Sequence, residues 1–376
     1  MEKFVLVFEI GSSTLRGMYA GRGINNTFKV KSYKETLYDG FYEGNFLAPS
    51  KLYDTFKNLM KELDVKPCKE LDKVYFSLPS EFSSVRTVDV SLSLGERRKI
   101  KKSDIESLNY TASEKAKNGD VEIVSISPIT YVLDEGRKTL DPVGEFASLL
   151  SAKMSIVYAN REYIELFNDL ASRLEFERVE YLSEALSQSG YVLPKDKKDE
   201  LSLIIDVGDL TTSIAFAKGQ GLIGLTSFAR GGGFITNDLA EAFDLSISEA
   251  NQLKDIIVLS LKGQKGDFYE LSSDGGIAQK ILLSSANEVV KYRIDELGKV
   301  ISRCVHMFAK DNISSLPIFL TGAGLSKIKG GRDYLAKCIG RNINYAFPPL
   351  PGKDKPELAS IYSLVNSALL SEEGNA

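Results

Sequence analysis

The sequence predicts an α/β protein of two domains, each opened by the same strand–turn–strand unit, with a small α+β insert inside the first. Three features point there. The stretches "KFVLVFEIGSSTLRGMYAG" (residues 3–21) and "LSLIIDVGDLTTSIAFAKG" (residues 201–219) share one plan: apolar strand, acid, apolar residue, glycine, hydroxyl-rich turn, apolar strand. With Glu9 laid on Asp206, Gly11 falls on Gly208, Thr14 on Thr211 and Tyr19 on Phe216. One such turn is what any tight β-hairpin requires. Its recurrence marks an internal repeat, and two such hairpins face to face would aim N–H groups and hydroxyls into one cleft, which suits a polyphosphate. The second feature is a change of texture over residues 84–158, where strand patterns and one helix interrupt the alternation on either side. The third is size: 376 residues at 43% apolar content supply a core for each half.

After the first hairpin, "SYKETLYDGFYEGNFLAPS" reads as strand and loop. "SKLYDTFKNLMKELDV" reads as an amphipathic helix with Leu52, Phe56, Leu59, Met60 and Leu63 on one face. "DKVYFSLPSE" returns to strand. In the insert, "VRTVDVSLSL" alternates like a half-exposed strand, "KKSDIESLNYTASEKA" is a helix capped by Ser103, and "VEIVSISPITYVLDEG" is two further strands. The insert closes with "DPVGEFASLLSAKMSIVYA", and "REYIELFNDLASRLEFE" and "LSEALSQSGYVL" resume the helical layer. The charged segment "PKDKKDE" is a solvated loop before the second hairpin. The run Gly231 to Gly233 allows close backbone approach, ahead of a helix that opens around Thr236, Asn237 and Asp238. Ser246 and Glu249 form a capping box. "SSANEVVKYRIDELGKVISRCVHMFA" is a long helix with Val289, Tyr292, Leu297 and Ile301 on or near its buried face. "SLPIFLTGAGLSKIKGGRDYLAKCIG" gives strand, glycine turn and helix, an arrangement that commonly approaches a nucleotide. The last helix places Leu358, Ile361, Tyr362, Val365 and Leu369 for packing on the second domain.

Composition excludes several classes. A formal charge of −4 gives no broad cationic surface, so nucleic acid is not expected as a main partner. Cys68, Cys304 and Cys338 lack metal-ligand spacing and a disulfide pattern, which points to a reducing cytoplasm. "MEKFVLVFEIG" has too short an apolar run for a signal peptide, and no run of about eighteen apolar residues occurs. His306, the single histidine, is expected to be a packed residue, so histidine catalysis and zinc sites are not expected. The terminal helix ends on Glu372 and Glu373 without the lysine and arginine of an interfacial anchor, so no direct membrane insertion is expected.

Taken in order, these pieces resemble the actin-like ATPases, and within them the FtsA family of bacterial cell-division proteins. The hairpin from Glu9 to Tyr19 looks like the first phosphate loop, that from Asp206 to Phe216 like the second, and "FLTGAGLSKIKG" like the adenosine loop. The position of the insert, its "DPVG" ending, and "GGGFITNDLAEAF" carry the likeness to FtsA. The resemblance implies an actin-like, ribonuclease-H-like duplicated two-domain fold with an SHS2-like insert. Residues 1–83 and 159–199 would form the first domain and 84–158 the insert. Residues 200–244 and 313–376 would form the second domain, and 245–312 its outer lobe.

It also implies ATP or ADP with Mg²⁺ in the interdomain cleft. Gly11, Ser12, Ser13 and Thr14 would meet the phosphates from one side, and Gly208, Thr211, Thr212 and Gly232 from the other. Gly322, Ala323 and Gly324 would lie against the adenosine, Lys291 would stand at the ribose position, and Asp206, with Glu9, would hold the metal. The implied partners are the FtsZ C-terminal tail, with Arg293 and Lys299 as contacts on the outer lobe, and further copies of the chain in filaments or dimers. The implied location is the cytoplasm, at the division site or inner membrane face through partners. Two other readings of the fold stand beside this one: the actin-like scaffold of type IV pilus assembly, and a sugar or acetate kinase. The basic cluster "GERRKIKKSD" reads as a solvated edge or as a contact with an acidic partner or neighbouring subunit.

Five residues depart from the family pattern. Glu9 stands where aspartate is usual, Thr14 where a lysine is common, Asp209 for a glycine, Ser213 for an aspartate, and Lys291 for a ribose-contacting glutamate. Together they take a cation from the phosphates and add an anion. The expectation is a structural nucleotide with very slow or absent hydrolysis.

Overall fold

The computed structural model describes residues 3–374 apart from 43–44, 70, 118, 120, 262, 265, 272–278 and 309–315. Parts of the segments 245–312 and 313–376 therefore lie outside the described residues. β1 (Phe4–Ile10), β2 (Thr14–Arg22) and β3 (Phe28–Leu37) form an antiparallel meander. A short pair, β4 (Phe41–Tyr42) and β5 (Asn45–Phe46), leads into α1 (Pro49–Glu62) and β6 (Lys73–Leu78). Leu52, Phe56, Leu59 and Met60 recur at helical spacing along α1 and are all buried against the sheet. Phe8, Phe56, Phe76 and Phe167 interlock there, with ring centroids 5.1 to 6.2 Å apart.

The insert follows: β7 (Ser83–Lys99), α2 (Lys102–Ala116), β8 (Val121–Val132), β9 (Lys138–Thr139) and β10 (Phe146–Asn160). Its sheet runs β7-β10-β8-β9, and Leu108, Ala112 and Ala116 of α2 close a core with Val90, Leu150 and Met154. α3 (Arg161–Arg173), β11 (Arg178–Ser183) and α4 (Glu184–Tyr191) return to the first domain, whose sheet runs β3-β2-β1-β6-β11.

The second domain repeats that plan. β12 (Ser202–Val207), β13 (Thr212–Lys218) and β14 (Gly221–Phe228) form the meander. α5 (Gly232–Phe243), α6 (Ile247–Ile256), the hairpin β15 (Phe268–Leu271) and β16 (Gln279–Leu282), and α7 (Leu283–Phe308) come next. β17 (Ile318–Thr321), α8 (Ala323–Ser326), α9 (Gly331–Ile339) and β18 (Asn344–Tyr345) complete a sheet ordered β14-β13-β12-β17-β18. In both sheets a three-strand meander is extended on the side of its first strand by two parallel strands. The repeat seen in two hairpins therefore covers two whole sheets.

Several expectations are corrected. The final helix, α10 (Ala359–Gly374), packs mainly on the first domain rather than the second, with only Ala359 at its start in a core with Ile204 and Phe319. Ile361, Tyr362, Leu364 and Val365 close a core with Val5, Val7, Met18 and Tyr75. Its end is tied down too: Glu372 accepts from Lys73 at 2.7 Å and from the Tyr75 hydroxyl at 2.6 Å, and Arg22 donates to Glu373. Helical spacing identifies an apolar face but carries no information on what covers it. The insert helix is capped at Lys101, not Ser103, because Asp104 turns back to accept the Lys101 N–H at 2.8 Å and a bidentate pair from Arg98. The segment 121–132 is one strand rather than two, since a bulge absorbs Pro128. α5 starts at Gly232, four residues before Thr236. Tyr292 is exposed, while Val290, Ile294, Leu297 and Ile301 form the buried stripe of α7. His306 is exposed rather than packed. The basic cluster continues β7 as far as Lys99. Among the described residues no helix is long and apolar enough to cross a membrane.

Candidate nucleotide cleft

The two repeated turns are alike in backbone. Gly11 N–H donates to the Thr14 carbonyl at 3.0 Å, and Gly208 N–H to the Thr211 carbonyl at 2.9 Å. In the ladders Glu9 pairs with Arg16, and Asp206 with Ser213. The turns meet across the cleft, where Leu210 N–H donates to Ser12 Oγ at 3.2 Å. Between them lies a cavity of about 120 Å³. Glu9, Gly11, Ser12, Ser13, Thr14, Asp206, Gly208 and Thr211 line it with Gly322 and Ala323, so ten of the residues singled out in the sequence come together.

The others stand elsewhere. Thr212 is fully buried, and its hydroxyl donates to the Arg230 carbonyl. Gly232 and Gly324 lie behind the second turn, where backbone packs on backbone. A Cβ on Gly232 would sit 2.3 Å from Gly324 Cα, and one on Gly324 would sit 2.1 Å from the Gly208 carbonyl oxygen. Gly231 is as tightly placed, since a Cβ there would sit 2.3 Å from the Asp209 carbonyl oxygen. Lys291 does not line the cavity; its ammonium lies 5.8 Å from the Tyr334 ring centre. Arg293 is not a free surface charge, because it forms a bidentate pair with Asp238 at 2.6 Å and a third bond to Glu296 at 2.9 Å. Lys299 is exposed beside Asp295, Ser302 and Arg303.

The electrostatics turn on groups that the sequence did not single out. Arg16 lines the cleft and donates to Glu9 Oε1 at 3.0 Å, to Glu35 at 3.2 Å and to the Glu357 carbonyl at 3.3 Å. A cation is therefore present two residues beyond Thr14, on the same strand face, and the inference that the cleft lacks one is corrected. Burial pushes the Glu9 carboxyl above its ordinary range, Arg16 pulls it back, and Asp206 pushes it further up. Asp206 is raised by burial, against the pull of Gln188, which donates to it at 2.6 Å, and of Arg16. Glu184, the first residue of α4, is held well above its ordinary value by burial and then by Glu9. Glu81 is raised by burial. Glu9 Oε2 and Glu184 Oε1 are buried without a hydrogen-bond partner. Below α5, the buried Lys254 donates to the Gly232 carbonyl at 2.9 Å and to Thr236 at 3.0 Å. Burial lowers its pKa, and the nearby Asp209 acts in the opposite sense. The period-2 alternation of β2 was a usable signal for Arg16. Glu81, Glu184 and Gln188 arrive through tertiary packing.

Two facing repeats of strand–turn–strand around one cleft define the actin-like class of two-domain proteins. Among solved structures, the PilM–PilN type IV pilus biogenesis complex matches with a TM-score of 0.64 at 17% identity, over 98% of this chain and 99% of that one. MreB 5 of Spiroplasma citri bound to AMPPNP matches at 0.60 and 11%, over 99% and 98%. These likenesses are of fold. Residues 203–363 match the family model of cell division protein FtsA, and residues 83–158 match that of the SHS2 domain inserted in FtsA; together these span more than half of the chain. FtsA of Staphylococcus epidermidis is 22% identical over 392 residues, covering 99% of this chain and 80% of its own. FtsA of Enterococcus hirae is 22% identical over 383 residues, covering 97% and 83%. The chain belongs to the FtsA family of cell-division proteins.

Proposed function

We propose that this chain is a partner-binding, self-associating component of the division machinery, with ATP or ADP and Mg²⁺ as a structural ligand and little or no hydrolysis. The observation that carries the reading is the pair of glycine turns facing one cavity, with the hydroxyl residues Ser12, Ser13, Thr14 and Thr211 lining it. The residues fit the ligand. Ser12, Ser13, Thr14 and Thr211 would hold phosphate, and Gly322 and Ala323 would take the adenosine side. Glu9 and Asp206 would hold Mg²⁺ through water, which would also give the orphaned Glu9 Oε2 a partner. Among the described residues no group of three or more acidic, cysteine or histidine side chains holds a metal unaided, so phosphate oxygens would complete the shell. Sites for small molecules run to roughly 300–1,000 Å³. The cavity of about 120 Å³ is far smaller, and a whole nucleotide would enter only with the domains further apart.

Slow turnover follows from charge. Catalysis of phosphoryl transfer offsets negative charge, whereas Arg16 is committed to Glu9, and Asp209 lines the same cavity. Two like charges about 4 Å apart at an effective dielectric near 20 repel by roughly 4 kcal/mol. Calorimetric titration with ATP and Mg²⁺, on the unmodified chain and on Thr14→Lys with Asp209→Gly, tests this. Weak binding that tightens in the double variant is expected, and rapid phosphate release by the unmodified chain overturns it. For the partner, a peptide from the FtsZ tail of the same organism is expected to bind the outer lobe. Lys299→Glu should weaken it, and unchanged affinity removes Lys299 from the interface. Arg293→Glu is the poorer probe, since it also breaks the bridge to α5.

A further inference from the structure

We propose that the insert is a brace that sets the angle between the two domains, by gripping the turn between β13 and β14. The insert is rooted in the first domain, because Val157 and Ala159 at the end of β10 belong to the same core as Phe8, Phe76 and Phe167. Its other side meets the second domain. Gln220 N–H donates to the Pro128 carbonyl at 3.0 Å, and Leu222 N–H to Ser155 Oγ at 3.0 Å. Both Leu222 and Ser155 are buried, at 0% and 1% exposure.

Each part of the joint has a local cause. Pro128 has no N–H, and the ladder shifts from Lys153 opposite Thr130 to Met154 opposite Pro128, leaving Ile129 as the extra residue of a bulge. The bulge loosens β8 from its ladder where the Pro128 carbonyl accepts a donor from the other domain. Ser155 alternates with Met154 and Ile156, which face the insert's own core, so its hydroxyl lies on the opposite sheet face, under β14. The approach is too close for side chains. A Cβ on Gly219, whose φ is +63°, would sit 2.1 Å from the Ile129 carbonyl oxygen, and one on Gly221 would sit 2.6 Å from Ser155 Cβ. Two glycines on either side of Gln220, one in the turn and one opening β14, each with backbone or a buried serine against it, make a fitted contact rather than a chance touch.

The joint lies at the far end of β13 from the cleft turn. At about 3.3 Å per residue, the seven residues of β13 separate the two by roughly 20 Å. The second domain is thus held to the first at both ends of one strand: by Leu210 on Ser12 in the cleft, and by Gln220 and Leu222 on the insert. A rotation of one domain against the other about an axis away from this joint changes the gap between Leu222 and Ser155 and breaks a buried hydrogen bond. The brace does not depend on a nucleotide occupying the cleft.

Hydrogen exchange and pulsed-dipolar distance measurement test it without any ligand. In Ser155→Ala, which preserves volume closely enough to fold, the Leu222 amide should exchange about tenfold faster, the factor expected for one lost hydrogen bond, while the Leu6 amide in β1 is unchanged. Spin labels carried by unnatural amino acids at the exposed positions Lys57 on α1 and Glu288 on α7 should give one narrow distance distribution in the unmodified chain. Gly221→Val should broaden or shift it by several ångströms with both sheets still folded by circular dichroism. If Gly221→Val does not fold, the same distance is read in Ser155→Ala, where broadening is again expected. An unchanged Leu222 exchange rate in Ser155→Ala, or a distance distribution as broad in the unmodified chain as in the variants, overturns the proposal.

Discussion

The two cleft hairpins share a skeleton and differ in how each handles its acid. On the first, Glu9 faces Arg16 across the ladder and makes an ion pair at 3.0 Å. On the second, Asp206 faces Ser213, and its hydrogen bond comes from Gln188 on α4, the helix that follows β11 of the first sheet. The first solution is internal to its hairpin; the second needs the domains together. The difference teaches that a duplicated backbone is kept by its glycine turn and its buried strands, while the charge at equivalent positions is free to diverge. It also means that the second hairpin, with Gly232 and Gly324 stacked behind it, depends more on its surroundings than the first.

The strongest test of that dependence is Gly324→Val. Its Cβ would lie 2.1 Å from the Gly208 carbonyl oxygen and close to Gly232 N, so backbone must move. A loss of about 4 kcal/mol or more is expected, enough to unfold a marginal domain. Chemical denaturation followed by far-ultraviolet circular dichroism checks it, and a loss under about 1 kcal/mol would show that the second turn is not held from behind. Next comes Arg16→Met, which leaves Glu9 buried without its counter-ion. About 3 kcal/mol is expected at pH 8, less at pH 5 where Glu9 takes up a proton more easily, and most of the loss should return in the double variant Glu9→Gln with Arg16→Met.

The sequence made the skeleton legible because glycine turns and strand alternation are local. The repeat, α1, the capping box at Ser246 and the glycine turn after β17 all depend on residues within one or two turns of each other. What it did not make legible is what converges from a distance. Glu184 and Gln188 approach the cleft only because α4 follows β11 at the far edge of the first sheet. The covering of α10 is invisible because its apolar stripe fits either domain. Thr212 and Arg16 belong to the same register argument: on a strand beside a turn, Thr211 and Ser213 face the cavity and Thr212 faces away, so strict alternation would have excluded the one and, from Thr14, found the other.

Acidity offers a third test. The folded pKa of Glu184 is raised above its ordinary 4.5 by burial, so its protonated form is favoured in the folded protein. Its contribution to stability is present below about pH 4.5 and is lost as pH rises through the folded value. Glu184→Gln should match the unmodified chain at low pH and exceed it at high pH, read as urea midpoints across pH 4.5 to 9. Asp104 on the insert works in the opposite sense. Arg98 and the Lys101 N–H hold it at about 2, so its contribution fades only as pH falls from about 4 towards 2. Equal pH slopes for Glu184→Gln and the unmodified chain would mean that the cleft acid is solvated, and that the contrast between the unpaired cleft acid and the ion-paired Asp104 fails.

The smallest expected effect separates the two turns themselves. In each, the glycine N–H donates to the carbonyl of the threonine three residues on, and a new Cβ points at that same carbonyl oxygen. The gap is 2.7 Å at Gly11 and 3.0 Å at Gly208. At Gly11 the oxygen must move, which stretches the hydrogen bond that closes the turn. At Gly208 a shift of a few tenths of an ångström suffices, although Gly232 N–H also donates to the Gly208 carbonyl and resists it. Gly11→Ala is therefore expected to cost about 1–2 kcal/mol and Gly208→Ala about 1 kcal/mol or less. Denaturation midpoints of the two single variants measured side by side decide the order. A larger loss at Gly208 would show that the packing of Gly232 and Gly324 behind the second turn, rather than the turn's own geometry, governs its tolerance.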